Sequence, residues 1–181
     1  MTPRERVRAA MKLGIPDQVP VQCQMATGHA LLNSGIDPIE KATTSAATAE
    51  AYLRMRDLYD FDGILMHKPG RTPEWLLDGT KKRECPDGWE FVYPEGCYVR
   101  VQRDDDPIFF PAPGFKWPEI EEIDLENPLY GHFSGGHLKW HLWKGTHHFH
   151  RVEDIPEYWY GIIDILKERT KGQISLHGET R

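Results

Sequence analysis

The apolar positions of this chain change period several times, and each change marks an element. Val7, Ala10 and Met11 recur at helical spacing behind Thr2-Pro3-Arg4-Glu5. Thr2 and Glu5 are spaced as a capping box, and Pro3 stands at the first helical position, where a missing N–H costs nothing. Gly14 is a stop signal. Pro16 and Pro20 hold the chain extended into Val19-Pro20-Val21-Gln22-Cys23, which reads as a buried strand. A short helical stretch around Ala30, Leu31 and Leu32 breaks at Asn33-Ser34-Gly35. Asp37-Pro38-Ile39-Glu40 repeats the capping signal. Ala49, Tyr52, Leu53, Met55 and Tyr59 then predict a helix ending near Tyr59, with an interruption around Thr43-Thr44-Ser45. After a turn at residues 60–63, Ile64-Leu65-Met66 predicts a second short buried strand. Strand, helix, strand is the βαβ unit of a parallel sheet.

Beyond Pro69 the texture is Gly, Pro and charge, to about Glu119. Within it, Trp89, Phe91 and Tyr93 alternate with polar neighbours, Pro94-Glu95-Gly96 makes a turn, and Cys97, Val99 and Val101 alternate again. That is a β-hairpin by period and turn chemistry, within an insertion at about 80–112 after the second strand. An acidic stretch from Glu119 to Glu126 precedes a run rich in His and aromatics from Tyr130 to Arg151. Asp154 is placed to cap a last helix through Tyr160, Ile163 and Leu166, which Gly172 stops. Ile174-Ser175-Leu176-His177 reads as a third strand. The fold class expected is α/β.

Composition narrows the function. With 181 residues and 39% hydrophobic content, one domain with a real core is the default. No apolar run is long enough to span a bilayer, and the charged N-terminus lacks the apolar middle of a secretory signal. Three widely spaced cysteines, Cys23, Cys85 and Cys97, make no disulfide framework and fit a reducing cytoplasm. A net charge of −6 without a basic face argues against nucleic acid as a partner.

The opening, Thr2-Pro3-Arg4-Glu5-Arg6-Val7-Arg8-Ala9-Ala10 followed by Pro16-Asp17-Gln18-Val19-Pro20-Val21, resembles the start of the uroporphyrinogen decarboxylase superfamily. That group holds porphyrin decarboxylases and corrinoid-dependent methyltransferases. The resemblance implies a (β/α)8 barrel of about 250 residues or more. This chain is then expected to be its N-terminal portion, three of eight strands, inactive alone and tending to dimerise through exposed sheet edges. A non-catalytic, degenerate barrel piece is the reading from another class.

In such a barrel the reacting groups lie at the C-terminal ends of strands. That rule selects Gln22, Gln24 and His29 after the first strand, His67 and Lys68 after the second, and His177 and Glu179 after the third. His67, His177 and Glu179 are the catalytic candidates; Gln22, Gln24, His29 and Lys68 are the substrate-binding ones. His137 and His141, four apart, are the weak metal candidates. Porphyrin decarboxylases of this group hold an octa-anionic substrate with arginines in the loop after the first strand. The matching stretch here, Gln24-Met25-Ala26-Thr27-Gly28-His29, has none. The resemblance therefore implies the methyltransferase branch, with a small methyl donor or thiol as substrate and a corrinoid carried by a partner protein. Zinc is expected only from ligands of the C-terminal half of such enzymes. Uroporphyrinogen decarboxylation is the alternative.

Overall fold

In the computed structural model, residues 1–66, 73–114, 153 and 157–178 are described, with Glu74, Trp75, Trp159 and His177 as main chain only. They fall into two compact units. Residues 1–66, 103–106, 153 and 157–178 form the first; residues 73–102 and 107–114 form the second.

The first unit is helices on a parallel sheet. Helix α1 (Pro3–Met11) has the capping box its sequence announces. The Glu5 N–H donates to Thr2 Oγ1 at 3.3 Å, and the Thr2 N–H donates to Glu5 Oε2 at 2.8 Å. The Thr2 N–H bond first, and the Thr2 hydroxyl after it, hold the Glu5 carboxyl below its usual range. Strand β1 (Gln22–Cys23) leads into α2 (Thr27–Ser34), which Gly35 ends in the left-handed region at φ +65°. Asp37 caps α3 (Pro38–Thr43), accepting from the Ile39 and Glu40 N–H groups at 2.9 Å each. The interruption expected near Thr44 is real: Thr44 leaves the helical region at φ −127° and caps α4 (Ser45–Tyr59). Strand β2 (Gly63–Met66) follows.

The sheet is completed by the last strand of the chain, β7 (Ser175–Gly178), which follows helix α6 (Gly161–Arg169). The spatial order is β1-β2-β7, with both pairings parallel. Gln22 pairs with Gly63 and Gly63 with Ser175; Leu65 pairs with His177. Ile64 and Met66 face the helices, in one cluster with Ala49 and Leu53 of α4, Ile162 and Leu166 of α6, and Ile174. Each such buried side chain contributes about 1.5–3 kcal/mol, which is why short strands suffice here. The cap expected at Asp154 lies outside the described residues. Regular helix starts only at Gly161, after one 3₁₀ turn at Glu157–Tyr160.

The N-terminal ends of these strands are tied by charge. The Arg6 guanidinium donates to Asp17 at 2.7 Å and to the buried carboxylate of Asp62. Asp62 Oδ2 accepts the Val21 N–H at 2.8 Å, the Asp62 N–H donates to the Val21 carbonyl at 2.8 Å, and the Asp62 carbonyl accepts the Ser175 N–H at 3.1 Å. One aspartate thus joins the entry to all three strands. The Arg6 bond, with help from the chain's amino group at 2.9 Å, pulls the Asp17 carboxyl far below its usual range.

The second unit is an antiparallel meander behind a one-turn helix, α5 (Glu74–Leu77). Its strands are β3 (Lys81–Cys85), β4 (Gly88–Val92), β5 (Tyr98–Gln102) and β6 (Ile108–Phe110). The expected hairpin is β4–β5; strands β3 and β6 flank it. Periodicity did not reveal β3 because Lys81-Lys82-Arg83-Glu84 is charged and exposed, the chemistry of a protected edge. Three residues of β6 are too few to show a period. The chain is therefore mixed α/β, with one parallel and one antiparallel sheet and no closed barrel among the described residues.

Candidate functional site

Neighbouring residues of a strand point to opposite faces. Since Ile64 and Met66 go to the helices, Gly63 and Leu65 belong to the other face. Along that face the register aligns Gln22, Gly63 and Ser175 in one row. A later row on this face holds Leu65 and the His177 position, and Gln24 directly follows the end of β1.

The Gln22–Gly63–Ser175 row is polar and small where the helix-facing side is apolar. The Gln22 side chain lies over Gly63. A Cβ placed on Gly63 would sit 2.6 Å from Gln22 Nε2 and 2.8 Å from its Cγ. Glycine at this position is thus a matter of room for the carboxamide. Gln22 and Gln24 are both exposed. A carboxamide gives two N–H donors and one acceptor oxygen with no titration near neutrality, which suits holding a polar group without moving its proton.

The other sequence candidates are placed as follows. His29 is exposed on α2, with Nε2 2.8 Å from the Tyr59 hydroxyl, and Asn33 Nδ2 donates to its carbonyl at 2.8 Å. Tyr59 closes α4 and stacks on Phe61, just ahead of β2, so the His29 ring is held beside the start of that strand. The structure therefore brings Gln22 and Gln24 to the His177 rows and joins His29 to a different set of partners. His67, Lys68, Glu179, His137 and His141 lie outside the described residues.

Two features escaped sequence reasoning. Ser175 continues the Gln22–Gly63 row; its place needed the register. Lys41 of α3 is only 8% exposed, with Nζ 3.5 Å from Thr27 Oγ1, in the connection that follows β1. Its signal was a lysine inside a short Ala/Thr helix, between buried Ala42 and the α3 cap.

The cysteines form no cluster. Cys23 is exposed, and its Sγ lies 3.6 Å from the Gln24 carbonyl. Cys85 and Cys97 sit at opposite ends of β4: one pairs with Gly88, the other follows the turn after Val92. Among the described residues no three His, Cys, Asp or Glu side chains gather to hold a metal ion. Zinc has no fit among them, and no step is derived through it.

A pocket of about 230 Å³ lies at the opposite end of the sheet, lined by Pro3, Arg56, Asp57, Arg169, Thr170 and Gln173 among others. Its cations are engaged: Arg56 pairs with Asp57 at 2.8 Å and Arg169 with Glu50 at 3.3 Å. The C-terminal ends of α4 and α6 add carbonyl dipoles that repel anions. Chemistry is better served by the Gln22 face.

No family model, curated protein or solved structure matches this chain.

Proposed function

We propose that this chain supplies the first strands of a barrel enzyme of the uroporphyrinogen decarboxylase superfamily, of the branch that moves a methyl group between a small donor or thiol and a corrinoid. Two independent lines support the reading. The residues from Thr2 to Val21 resemble that superfamily, and their capping box and Arg6–Asp17 bridge form as a unit. Parallel strands laid down in chain order, β1 beside β2 beside β7, are the succession a (β/α)8 barrel requires. One half of a doubly wound sheet has the same succession, so the resemblance of the first two dozen residues is what favours the barrel.

The observation that carries the site is the row of Gln22, Gly63 and Ser175, on the face turned away from the helices. In a barrel that face lines the interior; the Gln22 row, made of the first residue of each strand, would lie deep in it, and the His177 position and the chain after Cys23 nearer the mouth. Gln22 and Gln24 would hold the polar part of a small substrate. His177 would take the proton that a thiol loses as it accepts a methyl group. The corrinoid, carried by a partner protein, would supply or receive the methyl. Loop residues 24–29 contain no arginine, which leaves a polycarboxylate without a charged anchor there.

The test mixes the full barrel enzyme that contains this chain with a free methylated corrinoid and a panel of thiols, following the visible spectrum of the corrinoid and the mass of the thiol. Methyl transfer that His177→Ala slows about 100-fold or more is the expected result, the scale of a general base. A rate equal to that without protein overturns the reading. Loss of carbon dioxide from uroporphyrinogen with no methyl transfer assigns the decarboxylase activity instead.

A further inference from the structure

The two faces of the antiparallel meander differ in kind. Successive residues of a strand alternate between them. One face is core: Phe91, Val99 and Val101 are each 1% exposed, and Phe91 pairs with Val99. The register sets out the other face in two rows. One runs Arg83, Glu90, Arg100 and Ile108 from β3 to β6; the next runs Lys81, Val92, Tyr98 and Phe110. Cations gather toward β3 and apolar side chains toward β6. Tyr98 and Phe110 stack with ring centroids 4.7 Å apart, the Arg100 guanidinium carbon lies 4.9 Å from the Phe110 centroid, and Ile108 is 40% exposed.

Charge on this face does not balance. The Glu90 carboxylate is shared by two arginines. Arg83 donates to Oε2 from Nε at 2.8 Å and from Nη2, and Arg100 donates to Oε1 from Nε at 3.2 Å and from Nη2 at 2.7 Å. Each guanidinium is thereby fixed, with Nη1 bonded to no described residue. Lys81 is exposed and its side chain bonds to no described residue either. Three cations against one buried carboxylate leave two positive charges on one face of a chain whose net charge is −6. Beside the ends of α4 and α6, by contrast, Arg54, Arg56 and Arg169 meet Glu50, Asp57 and Asp60, and no charge is left over.

We propose that this face of the meander binds an extended acidic segment of a partner protein, with its carboxylates against Lys81, Arg83 and Arg100 and its apolar side chains against Tyr98, Phe110 and Ile108. The surplus of positive charge sets the sign of the partner. A guanidinium already fixed on one side loses little freedom when its outer N–H groups meet a planar carboxylate. The spacing sets the partner's form. Lys81 and Arg83 stand two residues apart on β3, about 7 Å, which is the interval between alternate side chains of any extended chain. Strands β3 and β5 are two strand spacings apart, about 10 Å, so a single small anion does not reach all three cations. A nucleic acid would run past the patch onto a surface of net negative charge, which repels it. The proposal stands on the second unit alone and does not use the methyl-transfer reading, so a failure of either leaves the other standing.

The experiment follows the fluorescence anisotropy of a labelled peptide, in which Glu alternates with Leu and Phe, against the full-length protein that carries this chain. The expected result is micromolar binding that weakens about tenfold between about 50 and 300 mM salt, as screening shortens the reach of the charges. The double variant Lys81→Gln, Arg83→Gln should bind about tenfold more weakly or worse, and Lys81→Gln alone, which breaks no described contact, about threefold more weakly. Arg8→Gln with Lys12→Gln, an equal change of charge at exposed residues of the first unit, should bind as the wild type does. A wild type that shows no binding at about 100 μM overturns the proposal, and so does a double variant that binds unchanged. A peptide with Lys in place of Glu that binds equally well also overturns it, as does a single-stranded oligonucleotide that binds more tightly than the acidic peptide.

Discussion

Asp62→Ala should destabilise the parallel unit by about 2–3 kcal/mol, and the figure can be built from its contacts. Asp62 is 2% exposed and follows directly on the turn after α4. Its carboxylate accepts the Val21 N–H at 2.8 Å and the Arg6 guanidinium, bonds that alanine cannot make. A hydrogen bond to a charged group contributes about 1.5–3 kcal/mol. The Val21 side of this estimate belongs at the low end, because Val21 is half exposed and water can replace the acceptor. Arg6 keeps Asp17 as a partner, so its loss is partial as well. The main-chain bonds of Asp62 to Val21 and Ser175 survive the substitution. For a chain of this length the sum is a fall in melting temperature of about 5–10 °C. Thermal and urea melts by circular dichroism, with Asp17→Asn as the exposed comparison, give the measurement. Asp62→Asn should recover part of the loss, since its carbonyl oxygen still accepts from Val21. A cost below about 0.5 kcal/mol for Asp62→Ala, or equal effects at Asp17 and Asp62, would refute the view that this aspartate ties the three strand entries together.

Other substitutions probe other parts. Glu90 is 4% exposed and shared by Arg83 and by Arg100 at 2.7 Å; burial alone would raise its carboxyl, and the two arginines overcome that and hold it below the usual range. Its contribution is therefore complete above the unfolded value of about 4.3 and is lost as pH falls through the lower folded value, so the meander should lose stability on acidification below about pH 4. Glu90→Gln should cost about 2 kcal/mol at pH 7, short of a fully buried pair because Arg83 is mostly exposed, and should flatten that acid limb in urea melts read at a series of pH values. Gly28→Ala should destabilise the first unit, since the new Cβ would fall 2.0 Å from the Asp104 carbonyl oxygen, and soluble yield with melting temperature reads it. Gly63→Ala should leave the melting temperature within a few degrees and yet alter activity, because what must move is the flexible Gln22 side chain. In an enzyme built on this chain, His67→Ala should lower turnover more than His148→Ala, because His67 directly follows the last residue of β2 in the chain, whereas His148 belongs to the His- and aromatic-rich run of the sequence.

Much of the first unit was legible because its signals are local. The caps at Thr2, Asp37 and Thr44 are satisfied within three residues of themselves, so sequence spacing alone exposes them. Strand β2 showed as an apolar run because Ile64 and Met66 pack into the core and Leu65 between them is half-buried. Strand β3 did not, because a charged edge has no apolar period to read. Neither did the Arg6–Asp62 bridge, whose partners are 56 residues apart in the chain. Gln22 and Gln24 could be picked by a rule about strand ends, whereas Ser175 needed the pairing with Gly63 to be known. The partner of His29 was hidden for the same reason: Tyr59 read as one more apolar position of α4, and its hydroxyl is what takes the imidazole.

The two faces of the parallel sheet divide the work between them. At the entry end, Arg6, Asp17, Asp62 and the chain's amino group satisfy one another, and the strands start from fixed main-chain bonds. Groups so fully engaged are poorly placed for chemistry, since recruiting any of them would unpair another. One residue further along, at the first position of each strand, the face turned from the helices carries Gln22, with Gly63 and Ser175 beside it, and Leu65 in a later row. On the helix side the next position of β2 is the buried Ile64. The exchange of apolar bulk for carboxamide and hydroxyl in the Gln22 row is the physical sign that this surface binds something.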